Sequence, residues 1–234
     1  MTAISVQELA ATFDHTLLRP DSTGDDVRRL CGEAAHYRFA TVCVLPCHAG
    51  LAVEELSRTG VKVGTVASFP FGADVTGLKA AMVRKAVGSG ASEVDVAMNI
   101  SKFLSGETGY VARELSVLRD EADAAAASNG LDRAILKVIV ETAYLSDEAK
   151  RLAVRVVAES GADFVKTSTG FGPRGATVED VALLREEAPG WLKIKASGGI
   201  RTLESALEML GVGAERIGAS ASPGIMREAE GGGL

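Results

Sequence analysis

Eight short runs rich in valine, isoleucine, threonine and phenylalanine alternate with longer helix-patterned segments from end to end of this 234-residue chain. The runs fall at 12–17, 41–45, 62–68, 93–98, 135–141, 164–168, 192–196 and 216–219. Strands that alternate with helices specify a parallel sheet, because each crossover must return the chain to the same end, and a helix does this. Eight such units in a chain near the ~250 residues usual for a closed eightfold barrel predict an α/β protein, a single (β/α)8 TIM barrel. The alternative is a doubly wound open sheet, which wants fewer strands and a glycine fingerprint after the first. Here that position reads Asp14-His15-Thr16-Leu17. No linker or shift in composition divides the chain, so 1–234 is expected to be one domain, with the glycine-rich 229–234 a disordered tail.

The intervening segments carry helix signals. Segment 25–37 puts Val27, Leu30, Ala34 and Tyr37 on one face, and the alanine-rich 111–127 has Gly130 placed to end it. Ser146 reads as an N-cap followed by two acids, Thr177 repeats the device with Asp180 at the capping-box position, and Thr202 opens a shorter helix.

Hydrophobic residues make up 47% of the chain, enough for a sizeable core, while aromatics are only 5%, so small aliphatic side chains must do the filling. The net charge of −6 argues against a nucleic-acid or anionic-membrane surface. It leaves room for a local anion site built from backbone amides. Met1–Glu8 lacks the basic stretch and apolar run of a signal peptide, and no stretch is long enough to span a membrane. Three cysteines, Cys31, Cys43 and Cys47, fit free thiols and a cytoplasmic location. The run Cys43-Val44-Leu45-Pro46-Cys47-His48 matches no zinc spacing, and no metal is expected.

Lysine is a poor strand residue and costly to bury. Yet Lys166 and Lys195 sit inside strand patterns, each followed by hydroxyl residues or glycine: Lys166-Thr167-Ser168-Thr169-Gly170 and Lys195-Ala196-Ser197-Gly198-Gly199. Period-two alternation aligns Lys166 with Ser168, Lys195 with Ser197, Asp14 with Thr16, Asp95 with Ala97 and Asn99, and Lys137 with Ile139 and Glu141. One barrel interior can therefore hold Lys137, Lys166 and Lys195 beside Asp14 and Asp95. A second ammonium nearby disfavours the charged form of the first and frees an amine to attack a carbonyl. Lysines that reach solvent from strand ends, or a structural ion-pair network, are the readings without chemistry. After the seventh strand, Ser197-Gly198-Gly199-Ile200-Arg201-Thr202 leads into a helix, and Gly218-Ala219-Ser220 ends the eighth. Barrels often bind phosphate in these two loops.

These segments, with Glu93-Val94-Asp95-Val96, Leu136–Thr142, Phe164–Gly172 and Asp14-His15-Thr16-Leu17-Leu18, strongly resemble deoxyribose-phosphate aldolase from about Phe13 to Ser220. The resemblance implies a class I aldolase that reversibly splits 2-deoxy-D-ribose 5-phosphate into D-glyceraldehyde 3-phosphate and acetaldehyde, without cofactor or metal. It makes Lys166 the Schiff-base nucleophile, with Lys195 lowering its pKa and Asp95 joining the proton relay. Gly170, Gly198, Gly199, Gly218 and Ser220 would hold phosphate. Asp14, Thr16, Cys43, Lys137 and Thr169 would line or adjoin the site. Expected partners are a phosphorylated sugar and a short aldehyde, with a homodimer as the expected assembly. The chain departs from the family in carrying Ala221 after Ser220, with Arg174 as a candidate compensating charge, and in a short tail without tyrosine. Another imine-forming barrel aldolase and a non-catalytic phosphate-binding barrel are the competing functions.

Overall fold

The structure is a computed structural model that describes residues 4–234; the first three residues of the N-terminal segment screened above for a leader lie outside it. In chain order the elements are α1 (Val6–Ala10), β1 (Phe13–Leu17), α2 (Gly24–Tyr37), β2 (Thr41–Val44), α3 (Ala49–Leu56), β3 (Lys62–Ala67), α4 (Thr76–Gly88), β4 (Glu93–Ala97), α5 (Ile100–Leu104) and α6 (Thr108–Ser128). They continue with β5 (Ile135–Ile139), α7 (Asp147–Glu159), β6 (Phe164–Lys166), α8 (Val178–Glu187), β7 (Lys193–Ser197), α9 (Leu203–Gly211), β8 (Arg216–Ala219) and α10 (Ser222–Glu228). All eight strands are parallel and each pairs with its sequence neighbour, β8 closing on β1 to complete the (β/α)8 barrel.

Parity along each strand divides the molecule into two chemistries. Phe13, Val42, Val44, Val63, Val94, Val96, Leu136, Val138, Val165, Ile194 and Ile217 face outward and join the helices in one apolar core. The alternate residues point into the barrel: Asp14, Thr41, Glu93, Asp95, Lys137, Lys166 and Lys195 are all buried there, with Arg216 partly so. The registers set Lys166 directly beside Lys195 and Lys195 beside Arg216, while Asp95 lies beside Lys137. Three adjacent cations in a barrel wall require carboxylates across the lumen, which β1 and β4 provide.

Local details depart from the sequence expectation where side chains compete with the ladder. The sixth strand ends at Lys166 rather than at residue 168. There the Thr167 hydroxyl accepts from Ser197 N (3.1 Å), and Thr169 turns toward Glu141 instead of continuing the strand. The fifth strand stops at Ile139, with Glu141 in the left-handed region at φ 52°. Ser146, Thr177 and Thr202 cap their helices as expected, and Thr23 caps α2 in a full capping box with Asp26. Asp180 does not complete a box with Thr177; its carboxylate instead pairs with Lys150 and Arg174. No helix among the described residues is long and apolar enough to cross a membrane.

Candidate active site

At the centre of the barrel, Asp95 gathers three lysines. Its Oδ2 lies 2.7 Å from Lys166 Nζ and 2.6 Å from Lys195 Nζ, and its Oδ1 lies 2.9 Å from Lys137 Nζ. Asp14 takes Lys195 and Arg216 and stands 3.2 Å from Lys137. Below them Glu93 bridges Lys137 and Arg216, the latter at 3.2 Å, and Arg216 also donates to the Thr41 hydroxyl at 2.9 Å. Four cationic side chains thus face three carboxylates. The cations outnumber the carboxylates by one, and they do not share them equally.

Lys166 has a single carboxylate contact, at Asp95, whereas Lys137 and Lys195 each touch two or more. Burial pushes Lys166 toward its neutral form; Asp95 pulls the other way, and the neighbouring Lys195 adds to the push, leaving the pKa below the ordinary lysine value. Burial opposes the charge of Lys195 as well, but Asp14 and Asp95 together overcome it and hold its pKa above normal. Asp95 stays well below the carboxylate range because Lys137, Lys166 and Lys195 outweigh its burial. Two adjacent amines whose pKa values are pushed in opposite directions form an arrangement that can supply a nucleophile beside a proton donor.

Above this network lies a cavity of about 420 Å³. Lys166 reaches it, with Thr16 and Thr169 on its walls and Gly170, Gly198, Gly199, Gly218 and Ser220 along its rim. Asp14, Asp95, Lys137 and Lys195 are not in its lining but lie buried beneath Lys166. Among the described residues, the amides of Gly170, Gly198, Gly199 and Ser220 make no internal hydrogen bond, which leaves donors for an anion. Glycine is required twice for reasons of space. A Cβ on Gly218 would lie 3.0 Å from Lys195 Cε and 2.9 Å from Ser197 Cβ, so its absence makes room for the lysine stem. A Cβ on Gly198, which has φ 86°, would lie 2.9 Å from Gly175 Cα.

Cys43 points inward but packs with Leu18 and Val66 in a small apolar cluster, and burial together with Asp95 pushes its thiol up to about 11. It stays protonated and outside the cavity lining. Arg174 is likewise absent from the lining and bound to Asp180, so it is not the free compensating charge suggested by the sequence; Arg19 and Arg201 line the cavity instead. The Ser222 hydroxyl, one position beyond Ala221, donates to Ala219 O at 2.9 Å and is buried away from the rim. Glu93 and Arg216 escaped the sequence reading. Glu93 shares parity with Asp95, and Arg216 with Gly218, so the same alternation points to both.

The family model for DeoC/LacD family aldolases matches residues 9–225. The deoxyribose-phosphate aldolase of Caldanaerobacter subterraneus subsp. tengcongensis is 48% identical over 224 residues, covering 96% of this chain and 94% of that protein. That of Dictyoglomus turgidum is 47% identical, covering 94% and 96%. Among solved structures, deoxyribose phosphate aldolase from Aeropyrum pernix, described as a unique tetramer, superposes with a TM-score of 0.88 at 32% identity over 97% of this chain and 92% of that one. The family model spans most of the chain and these relatives align over nearly its whole length, so the chain belongs to the DeoC/LacD family of aldolases.

Proposed function

We propose that this protein catalyses the reversible cleavage of 2-deoxy-D-ribose 5-phosphate to D-glyceraldehyde 3-phosphate and acetaldehyde through an imine on Lys166. The observation that carries this reading is a pair of amines on one carboxylate oxygen, with opposed tuning: Lys166 and Lys195 both meet Asp95 Oδ2, and Lys166, depressed by burial and Lys195, opens into a cavity rimmed by free backbone amides. In the synthetic direction the neutral Lys166 amine adds to the acetaldehyde carbonyl. The carbinolamine loses water to give a protonated imine. That cation withdraws electrons, so the adjacent methyl carbon releases a proton to a base and an enamine forms. The enamine carbon attacks the aldehyde carbon of D-glyceraldehyde 3-phosphate, and the new alkoxide takes up a proton. Water then hydrolyses the imine and restores the amine.

Lys195, held charged by Asp14 and Asp95, keeps Lys166 depressed and is placed to pass protons through Asp95. Lys137 and Arg216 hold the two aspartates ionised and fixed. The amides of Gly170, Gly198, Gly199 and Ser220 take the phosphate, anchoring the end of the substrate remote from the reacting carbons. Steady-state cleavage assays test this directly. The kcat/KM for 2-deoxy-D-ribose 5-phosphate is expected to exceed that for 2-deoxy-D-ribose by at least about 100-fold, the lower end of what two charge-assisted hydrogen bonds are worth. Equal turnover of both sugars would contradict the phosphate assignment. Phosphate binding without turnover of either would favour a non-catalytic phosphate-binding barrel.

A further inference from the structure

We propose that Asp180, which does not line the cavity, is a positioning residue that fixes the phosphate-binding backbone at Gly198 and Gly199 through Arg174 and Gly175. The proposal rests on the aldolase reading above and concerns how that site discriminates for phosphorylated substrate.

Asp180 belongs to α8 and is 2% exposed. Such a carboxylate persists in an interior only when paired. Two cations from different segments meet it: Lys150 of α7 at 2.7 Å from Oδ1, and Arg174 of the β6–α8 loop, whose Nη1 contacts Oδ2 while Nη2 lies 3.3 Å from Oδ1. The two-pronged contact sets the orientation of the guanidinium as well as its position. From there Nη1 also donates to the Gly175 carbonyl at 3.3 Å. Gly175 in turn lies against Gly198 so closely that a Cβ on it would fall 2.0 Å from Gly198 O. The next amide, Ala176 N, donates to both Ser197 O and Gly198 O at 3.1 Å. The peptide linking Gly198 to Gly199 is therefore held by its oxygen, and the direction of the Gly199 amide follows from that hold. An unbroken line of contacts runs from a buried carboxylate, through one arginine and two glycines, to the amides that face the phosphate.

Nothing in that line touches Lys166 or its partners, so its loss should separate phosphate recognition from amine chemistry. In wild type, Asp180→Asn and Arg174→Met, the informative quantity is the ratio of kcat/KM for 2-deoxy-D-ribose 5-phosphate to that for 2-deoxy-D-ribose, measured beside borohydride trapping of acetaldehyde on Lys166. Both variants are expected to lower the ratio by about 10-fold, mainly through KM for the phosphate ester, because ångström-scale misplacement of binding groups carries penalties of that order or more. Trapping at Lys166 should match wild type. Equal losses on both sugars, with the ratio unchanged, would make Asp180 merely structural and overturn the proposal. A ratio that rises in Asp180→Asn would also overturn it, since Arg174 released from Asp180 would then be binding phosphate itself. Should Asp180→Asn fail to fold, Arg174→Met carries the same test, because that side chain is 41% exposed. A wild type that traps no acetaldehyde would remove the aldolase reading, and the proposal with it, whereas trapping with an unchanged ratio would remove the proposal alone.

Discussion

Lys166→Met is expected to abolish aldol cleavage, lowering kcat/KM by at least about 10⁴-fold, and at the same time to raise the melting temperature at neutral pH. The first effect follows from covalent catalysis, in which losing the nucleophile removes the whole imine route rather than one contribution to it. The second follows from charge. Lys166 is 3% exposed, meets only Asp95 and stands beside Lys195, and its pKa is depressed by that burial and that neighbour. A base with a folded pKa below its unfolded value destabilises the fold wherever the unfolded chain would hold the proton. The cost is largest below the folded pKa and fades as pH rises toward the ordinary ~10.4. Methionine fills a similar volume without the charge. Thermal unfolding of the two proteins across pH should therefore show a gap in favour of the variant that closes in alkali. A variant less stable than wild type at pH 7 would contradict the assignment of Lys166 as the strained amine.

Lys195→Met should act in the opposite sense on stability while also crippling catalysis. Lys195 ties Asp14 to Asp95, and both carboxylates remain buried when it is gone. Removing one partner of such a network costs about 3–5 kcal/mol, roughly 10 °C in melting temperature for a chain of this size. Its raised pKa means that this contribution is complete below the ordinary lysine value and is lost only as pH rises through the folded one, so the deficit should be constant between pH 6 and 9. At the acid end, Asp14 and Asp95 contribute stability that is present above their unfolded values and lost as pH falls through their depressed folded ones. Without Lys195 the depression shrinks, and acid unfolding should move to higher pH. Catalysis should fall by about 10³-fold through lost proton transfer, and its dependence on free amine should shift to higher pH because Lys166 loses the cation that disfavoured its protonation. The kcat/KM profile against pH measures that shift; an unmoved acid-side limb would contradict the coupling.

Much of this was legible in the chain. Strand parity alone assigns Asp14, Asp95, Lys137, Lys166 and Lys195 to one interior, because a strand offers only two faces. What parity cannot give is reach across the lumen. Arg216 and Glu93 sit at the starts of their strands, where a side chain reads equally well as solvent-facing; barrel closure is what brings Arg216 onto Asp14 and Glu93. The end of β6 was hidden for a different reason. Thr167 and Ser168 have strand composition, but the Thr167 hydroxyl pairs with β7 and the chain leaves the ladder. Asp180 looked like a capping acid because its sequence position allowed that role, and the cations that claim it come from a neighbouring helix and a loop. Cys43 has the right parity for the site, yet larger apolar neighbours, Leu18 and Val66 among them, enclose it.

Borohydride reduction in the presence of acetaldehyde, followed by peptide mapping by mass spectrometry, tests the central claim most directly. One N-ethylated residue, Lys166, should be found in wild type and none in Lys166→Met. Labelling at Lys195 or Lys137 in place of Lys166, or labelling that survives the substitution, would contradict the account.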